Sequence, residues 1–190
     1  VAAGLGGGSA DAAAVLRAVA ALGVRVEEDG LGALALGLGA DVPVCLASRP
    51  SRMSGVGEVL EPVAAPAFDV VLVCPPVPLA TRMVFEGTPA VNSGQAAGVP
   101  PSGREAWLPW LRDLGNDLTP AAVALAPSVG TALKALEEAP HCELARMSGS
   151  GPSCFGLFAG AERAAAAAAN MAAAHPDWWV TATRTFSGDA

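Results

Sequence analysis

The chain has 190 residues, 52% hydrophobic and 15% charged, with a formal net charge of −7. That apolar share excludes a disordered chain. The acidic balance excludes a general nucleic-acid or anionic-membrane surface, because both need clustered Lys and Arg. It leaves room for a small anionic ligand held by a few backbone amides. Four cysteines, Cys45, Cys74, Cys142 and Cys154, lie far apart with no C-x-x-C pair. This spacing argues against zinc and for reduced, core-forming thiols in a cytoplasmic protein. No run reaches the roughly 18 apolar residues of a membrane helix, and no basic-then-apolar leader pattern is read.

In chain order, "GLGGGS" (4–9) packs four glycines and a serine into six residues. Ser9 is expected as N-cap, with Asp11 in the first turn of a helix that stops at Gly23. A second, glycine-weakened helix is expected from about Glu27 to Leu38, ending in a turn at Gly39. "DVPVCLAS" restarts a short helix with Pro43 in its first turn. "SRMSGVGEVLEPV" reads as two short strands about a Gly-x-Gly turn. Composition shifts at residues 64–68, the expected domain boundary, which divides the chain into 1–63 and 64–190.

Beyond the boundary, "FDVVLVCPP" reads as a buried strand, and residues 87–104 as a Pro/Gly/Ser-rich surface loop. "AWLPWLRDL" is a short helix. "TPAAVALAPSVGTALKALEEA" is helical with a break near Pro127. "CELARMSGSG" and "SCFGLFAG" are strands about a second Gly/Ser loop. "AERAAAAAANMAAAH" is a helix and "WWVTATRTF" a last, alternating strand. From Phe68 the order β–α–β–β–α–β predicts a ferredoxin-like arrangement, so the fold class is α+β. Trp107, Trp110, Trp178 and Trp179 are read as packing residues. His141 and His175 lack a Ser or Cys partner pattern and are read as core or surface residues.

The opening loop has two readings. A helix N-terminus leaves its first amides unpaired and carries a partial positive charge. Glycines before it let a phosphate approach without meeting a Cβ, which makes an anion cradle. The plain alternative is a flexible loop capped by Ser9. A P-loop requires a lysine after its last glycine, yet Lys134 is the sole lysine of the chain. A Rossmann fingerprint requires glycine where Ser9 stands, after a strand. The loop is therefore of another type. Asp41, in the tight turn "GADVP" before Pro43, reads equally as a general base or as an N-cap.

"GLGGGSADAAA" resembles the nucleotide-binding motif of the GHMP kinases, the family of galactokinase, homoserine kinase and mevalonate kinase. "LGADVPVCL" (38–46), "GVGEVLEPV" (55–63), "GNDLTPAA" (115–122) and "MSGSGPSCFGLF" (147–158) narrow the likeness. They point to members that phosphorylate a methyl-erythritol bearing a cytidine diphosphate, in the non-mevalonate route to isoprenoids. The resemblance implies a two-domain α+β kinase. It would consist of part of an N-terminal domain of the ribosomal protein S5 domain 2-like type and a ferredoxin-like C-terminal domain, with the active site between them.

By the same resemblance Asp41 is the catalytic base that accepts the substrate's hydroxyl proton. Ala3, Gly4, Leu5, Gly6, Gly7, Gly8, Ser9 and Ala10 would bind ATP, and so would Ser148, Gly149, Ser150 and Gly151. Thr81 and Phe85 would hold the cytidine group, with a core role for Phe85 left open. No acid-rich cage is visible, so Mg²⁺ is expected to arrive with ATP. The family also uses a lysine from near its N-terminus that has no counterpart here. The first residue is Val, and such loops normally follow a strand or turn. A C-terminal portion of a longer protein is thus expected. It is also expected to aggregate or fold only in part when isolated, since about 63 residues of a divided domain hardly make a core of their own.

Overall fold

The computed structural model describes residues 4–23, 28–89 and 98–188. It forms two compact units, one of Gly6–Ala65 with Ser187–Ala190 and one of Val1–Leu5 with Pro66–Phe186.

The first of these is mainly helical. Its elements are α1 (Gly7–Ala21), α2 (Glu28–Leu38), α3 (Val42–Ala47), β1 (Ser51–Ser54) and β2 (Val59–Pro62). Helix α1 starts two residues before the expected Ser9 cap. Gly6, at φ 67°, is the N-cap and has no side chain to cap with. The Ala10 amide donates to the Gly6 carbonyl at 2.8 Å, so Ser9 lies inside the helix and Asp11 beyond its first turn. A residue with left-handed backbone just before a helix is most readily glycine, which is why the start moves to Gly6. The helix ends as expected, with Gly23 at φ 81° in the left-handed position after the C-cap.

Ala13, Leu16, Ala35 and Val42 form the buried centre of this unit. Two alanines among four residues let the helices lie close and leave a small core. Strands β1 and β2 form an antiparallel hairpin in register Ser51↔Pro62 to Ser54↔Val59. Its turn carries positive φ at Gly55 and Gly57.

The second unit holds β3 (Asp69–Cys74), α4 (Thr81–Gly87), α5 (Arg104–Asp113), α6 (Thr119–Leu125), α7 (Pro127–Glu137), β4 (Cys142–Met147), β5 (Cys154–Phe158), α8 (Ala161–Ala174) and β6 (Trp179–Arg184). The sheet order is β4-β5-β3-β6, and every pairing is antiparallel. This is the ferredoxin-like arrangement, with extra helices between the first two strands. Strand β3 is an inner strand of the sheet, and its run Val-Val-Leu-Val is apolar without alternation. Val71 and Val73 are fully buried.

Helices α7 and α8 pack on the sheet. Helix α8 buries Ala164, Ala167, Ala168 and Met171, an i, i+3, i+4, i+7 stripe. Helix α7 brings Val129, Ala132 and Leu136 to the same core. Pro127 opens α7, where its missing N–H costs no helical bond.

Three expectations change here. Residues 81–87 form a helix, α4, where only a bend leading into a loop was read; Val84 is fully buried and α4 packs on α6, so tertiary contact supplies what local pattern lacked. Of the expected loop 87–104, residues 90–97 lie outside the described residues, and α5 begins at Arg104. Trp179 is not a packing residue. It is 51% exposed on β6, an edge strand of the sheet. Trp107 is buried and meets Trp110 edge-on at 5.3 Å. Trp178 stacks on His175 at 3.7 Å.

Candidate functional site

In the helical unit, the expected phosphate loop becomes the mouth of α1. Four backbone amides at a helix start lack intrahelical partners; here they belong to Gly6, Gly7, Gly8 and Ser9, and no side chain caps the end. The Ala10 amide makes the first helical bond, to the Gly6 carbonyl. Ala3 lies outside the described residues. Among the described residues, a Cβ placed on Gly6, Gly7 or Gly8 would meet no atom within 4 Å outside α1's own backbone. Gly6 needs its left-handed φ. Gly7 and Gly8 have ordinary helical backbone and no neighbour that excludes a side chain. Each costs about 0.5–1 kcal/mol relative to alanine inside a helix, and the fold returns nothing for it. Space and free amides together fit a phosphate group.

Asp41 stands at the N-cap of α3 but does not cap it. Its φ and ψ are −88° and −8°, and its carboxylate makes no capping hydrogen bond. Its backbone, by contrast, is held on both sides. The Val42 amide donates to Gly39 at 3.0 Å and the Cys45 amide to Asp41 at 3.1 Å. Val42 is 2% exposed and belongs to the core with Ala13 and Leu16 of α1. On the other side Gly57, at φ 109°, lies so near the turn that a Cβ there would come within 2.3 Å of the Ala40 carbonyl oxygen. A rigid backbone thus carries an exposed carboxylate. Arg17 of α1 donates from Nη1 to the Cys45 carbonyl at 2.9 Å. Burial pushes the Cys45 thiol up, Asp41 pushes it further, and Arg17 opposes both.

In the sheet-bearing unit, the β4–β5 loop gathers the second group of expected residues. Ser148 donates from Oγ to the Gly4 carbonyl at 2.7 Å. A Cβ on Gly4 would meet the Gly151 oxygen at 2.5 Å and the Ser148 oxygen at 2.9 Å, so only glycine fits there. Ser150, 7% exposed, shares a 2.9 Å hydrogen bond with Thr81. Gly149 and Gly151 have φ of 53° and 78°. Thr81, read as a substrate residue, therefore touches the loop read as binding ATP.

Phe85 is not a core residue. It is 59% exposed and lines a cavity of about 750 Å³ with Thr88, Asn116, Asp117, Arg146 and Gly149. The Arg146 guanidinium donates from Nη2 to Leu111 at 2.6 Å and also to Leu114. Burial lowers its pKa.

Sequence reasoning assigned no role to Asn116, Arg146 or Gly57. Two of them sit in quoted motifs, "GNDLTPAA" and "GVGEVLEPV". An Asn ahead of a Pro-opened helix and a glycine two residues after another were the available signals. Among the described residues, no three His, Cys, Asp or Glu side chains cluster to hold a metal ion, and no helix is long and apolar enough to cross a membrane.

Comparison with known proteins adds five likenesses. The family described as GHMP kinases C terminal matches residues 104–177. The chain is 48% identical over 190 residues to the 4-diphosphocytidyl-2-C-methyl-D-erythritol kinase of Paramagnetospirillum magneticum, covering 98% of this chain and 67% of that protein. It is 45% identical over 194 residues to the kinase of the same name from a Bradyrhizobium species, covering 96% of this chain and 65% of that one. A crystal structure of 4-(cytidine 5'-diphospho)-2C-methyl-D-erythritol kinase superposes with a TM-score of 0.77 at 34% identity, over 95% of this chain and 66% of that one. Homoserine kinase from Cytophaga hutchinsonii shares the fold, with a TM-score of 0.70 at 18% identity, over 98% of this chain and 67% of that one. The chain thus spans about two thirds of the length of these relatives.

Proposed function

Because this chain belongs to the GHMP kinase family, we propose that it carries out ATP-dependent phosphorylation of the 2-hydroxyl of 4-diphosphocytidyl-2-C-methyl-D-erythritol. In this reading residues 1–63 belong to the ATP-binding domain and 64–190 to the C-terminal domain of a cytoplasmic enzyme.

ATP supplies the transferred phosphoryl group. The amides of Gly6, Gly7, Gly8 and Ser9 would hold its phosphate oxygens, aided by the positive end of α1. The Gly149 and Ser150 amides of the Ser148–Gly151 loop would add backbone donors, with Gly4 as the loop's fixed neighbour. Asp41 accepts the proton of the substrate hydroxyl at its carboxylate. Positioning and charge carry most of phosphoryl transfer, and a held base adds about 10²–10⁴ in rate. The rigid backbone on either side of Asp41 suits that task. Thr81 and Phe85 would hold the cytidine group, with the exposed Phe85 ring free to stack on a base. Mg²⁺ would enter on the nucleotide's own phosphates, as no cluster of acids among the described residues offers it a cage.

The observation that carries the reading is the pair Gly7 and Gly8: two helical glycines that no packing demands, at the uncapped mouth of α1. The test is ADP release from ATP by the full chain, with the cytidyl alcohol and with homoserine and mevalonate for comparison. Gly8→Ala is expected to stabilise the fold by about 0.5–1 kcal/mol while raising the KM for ATP. Asp41→Asn is expected to lower kcat by about 10²–10⁴ with an unchanged melting temperature. Turnover indifferent to both substitutions would sink the reading, and preference for another alcohol would move the substrate.

A further inference from the structure

We infer that Asn116 is a positioning residue that sets the shape of the Ser148–Gly151 loop for nucleotide binding, an inference that rests on the kinase reading above. Its side chain spans two elements far apart in sequence. Nδ2 donates to the Met147 carbonyl at 2.9 Å and to the Gly149 carbonyl at 2.8 Å. Oδ1 accepts from the Leu118 amide at 3.0 Å, just ahead of α6. Both amide hydrogens and the carbonyl oxygen are thus engaged.

The two accepting carbonyls bracket Ser148. One ends β4 and the other belongs to a left-handed glycine, Gly149 at φ 53°. With Asn116 holding them, Ser148 keeps its Oγ on Gly4 and Ser150 its Oγ on Thr81. Two further bonds close the loop on itself. The Ser148 amide donates to Ser153 and the Gly151 amide to Ser148, both at 2.9 Å. A glycine-rich loop of this kind has much backbone freedom to lose. The amide of Asn116 removes that freedom before any ligand arrives, and preorganisation of this sort is read as affinity. This share of the constraint comes from outside the loop, from the chain before α6.

Asparagine is specifically required, because the site needs two donors and one acceptor on one planar group. Asn116→Asp keeps the shape and the acceptor but turns both donors into a carboxylate facing two carbonyl oxygens. The Met147 and Gly149 carbonyls and the neighbouring Asp117 oppose that charge, whereas the Leu118 amide and the Arg146 guanidinium of the same cavity favour it. Once protonated, the carboxyl can donate one hydrogen bond again. Asn116→Ala removes donors and acceptor without adding charge.

The experiment measures ADP release and amide hydrogen exchange on the full chain for wild type, Asn116→Asp and Asn116→Ala. At pH 8 both variants are expected to raise the KM for ATP about tenfold, with a smaller change in kcat. The Ser148 and Gly151 amides exchange about tenfold faster in both, while β3 amides are unchanged. An active wild type whose variants keep its KM and its loop exchange overturns the inference alone. A wild type that neither binds nor turns over ATP overturns the kinase reading and the functional half of this inference with it.

Discussion

The two compact units use the same small residues for opposite ends. In the sheet-bearing unit, Gly156 and the buried alanines of α8 answer to packing. A Cβ on Gly156 would meet Leu136 at 3.0 Å, and the alanines of α8 lie against a core that includes Val71, Val73, Leu136 and Phe158. In the helical unit, Gly7 and Gly8 meet nothing, and the core is Ala13, Leu16, Ala35 and Val42. One unit spends its sequence on staying folded. The other places backbone amides and a carboxylate in the open and keeps little apolar area with which to hold itself. Val15 and Leu22 are exposed there at 62% and 83%.

This contrast can be broken most directly through the cores. Leu136→Ala empties a fully buried site and is expected to cost about 2–5 kcal/mol in urea unfolding. Leu16→Ala acts on a site with few large neighbours, and is expected at or below the bottom of that range. Equal losses would show that the helical unit is as well packed as the sheet. Gly57→Ala comes next. It places a side chain at φ 109° and 2.3 Å from the Ala40 oxygen, and is expected to cost about 1–3 kcal/mol. Since Ala40 precedes Asp41, turnover should fall further than the melting temperature suggests. A fall confined to stability would detach the hairpin from the proposed role of Asp41.

The smallest effect concerns the thiols. All four cysteines are free. Burial, with help from nearby Cys74, pushes the Cys154 thiol up to about 12. An acid whose pKa is raised by folding leaves stability untouched below its unfolded pKa. Stability then declines as pH rises from about 9 toward 12, where only the unfolded chain has lost its proton. Denaturant melts at pH 7 and pH 10 are expected to show this as a modest loss that Cys154→Ala reduces. Alkylation of Cys154 at pH 8 should proceed only through opening of the sheet. Fast labelling of the folded protein would place the thiol nearer the surface.

Much of the architecture could be read without coordinates. Helices α7 and α8, the break at Pro127, the hairpin turn at Gly55 and Gly57, and the strand order after Phe68 all follow from signals within a few residues of each other. Apolar periodicity, proline at a helix start and glycine at a turn act through local backbone geometry, so they are written in neighbouring letters. The residues read as site candidates, Gly4 to Ser9, Asp41 and the Ser148–Gly151 loop, came from motifs of the same short range.

Other features depended on partners far along the chain. Helix α1 starts at Gly6 rather than at the better capping residue Ser9. Helix α4 exists because Val84 finds a buried place and α6 beside it. Phe85, equally suited to a core, is turned outward by that same helix. Asn116 acquires its role only because the β4–β5 loop comes within hydrogen-bond reach of it across some thirty positions. Local sequence chose the elements because backbone conformation responds to near neighbours. The tertiary structure chose their limits and their partners, because burial and hydrogen bonding between distant segments exist only once the chain has closed on itself.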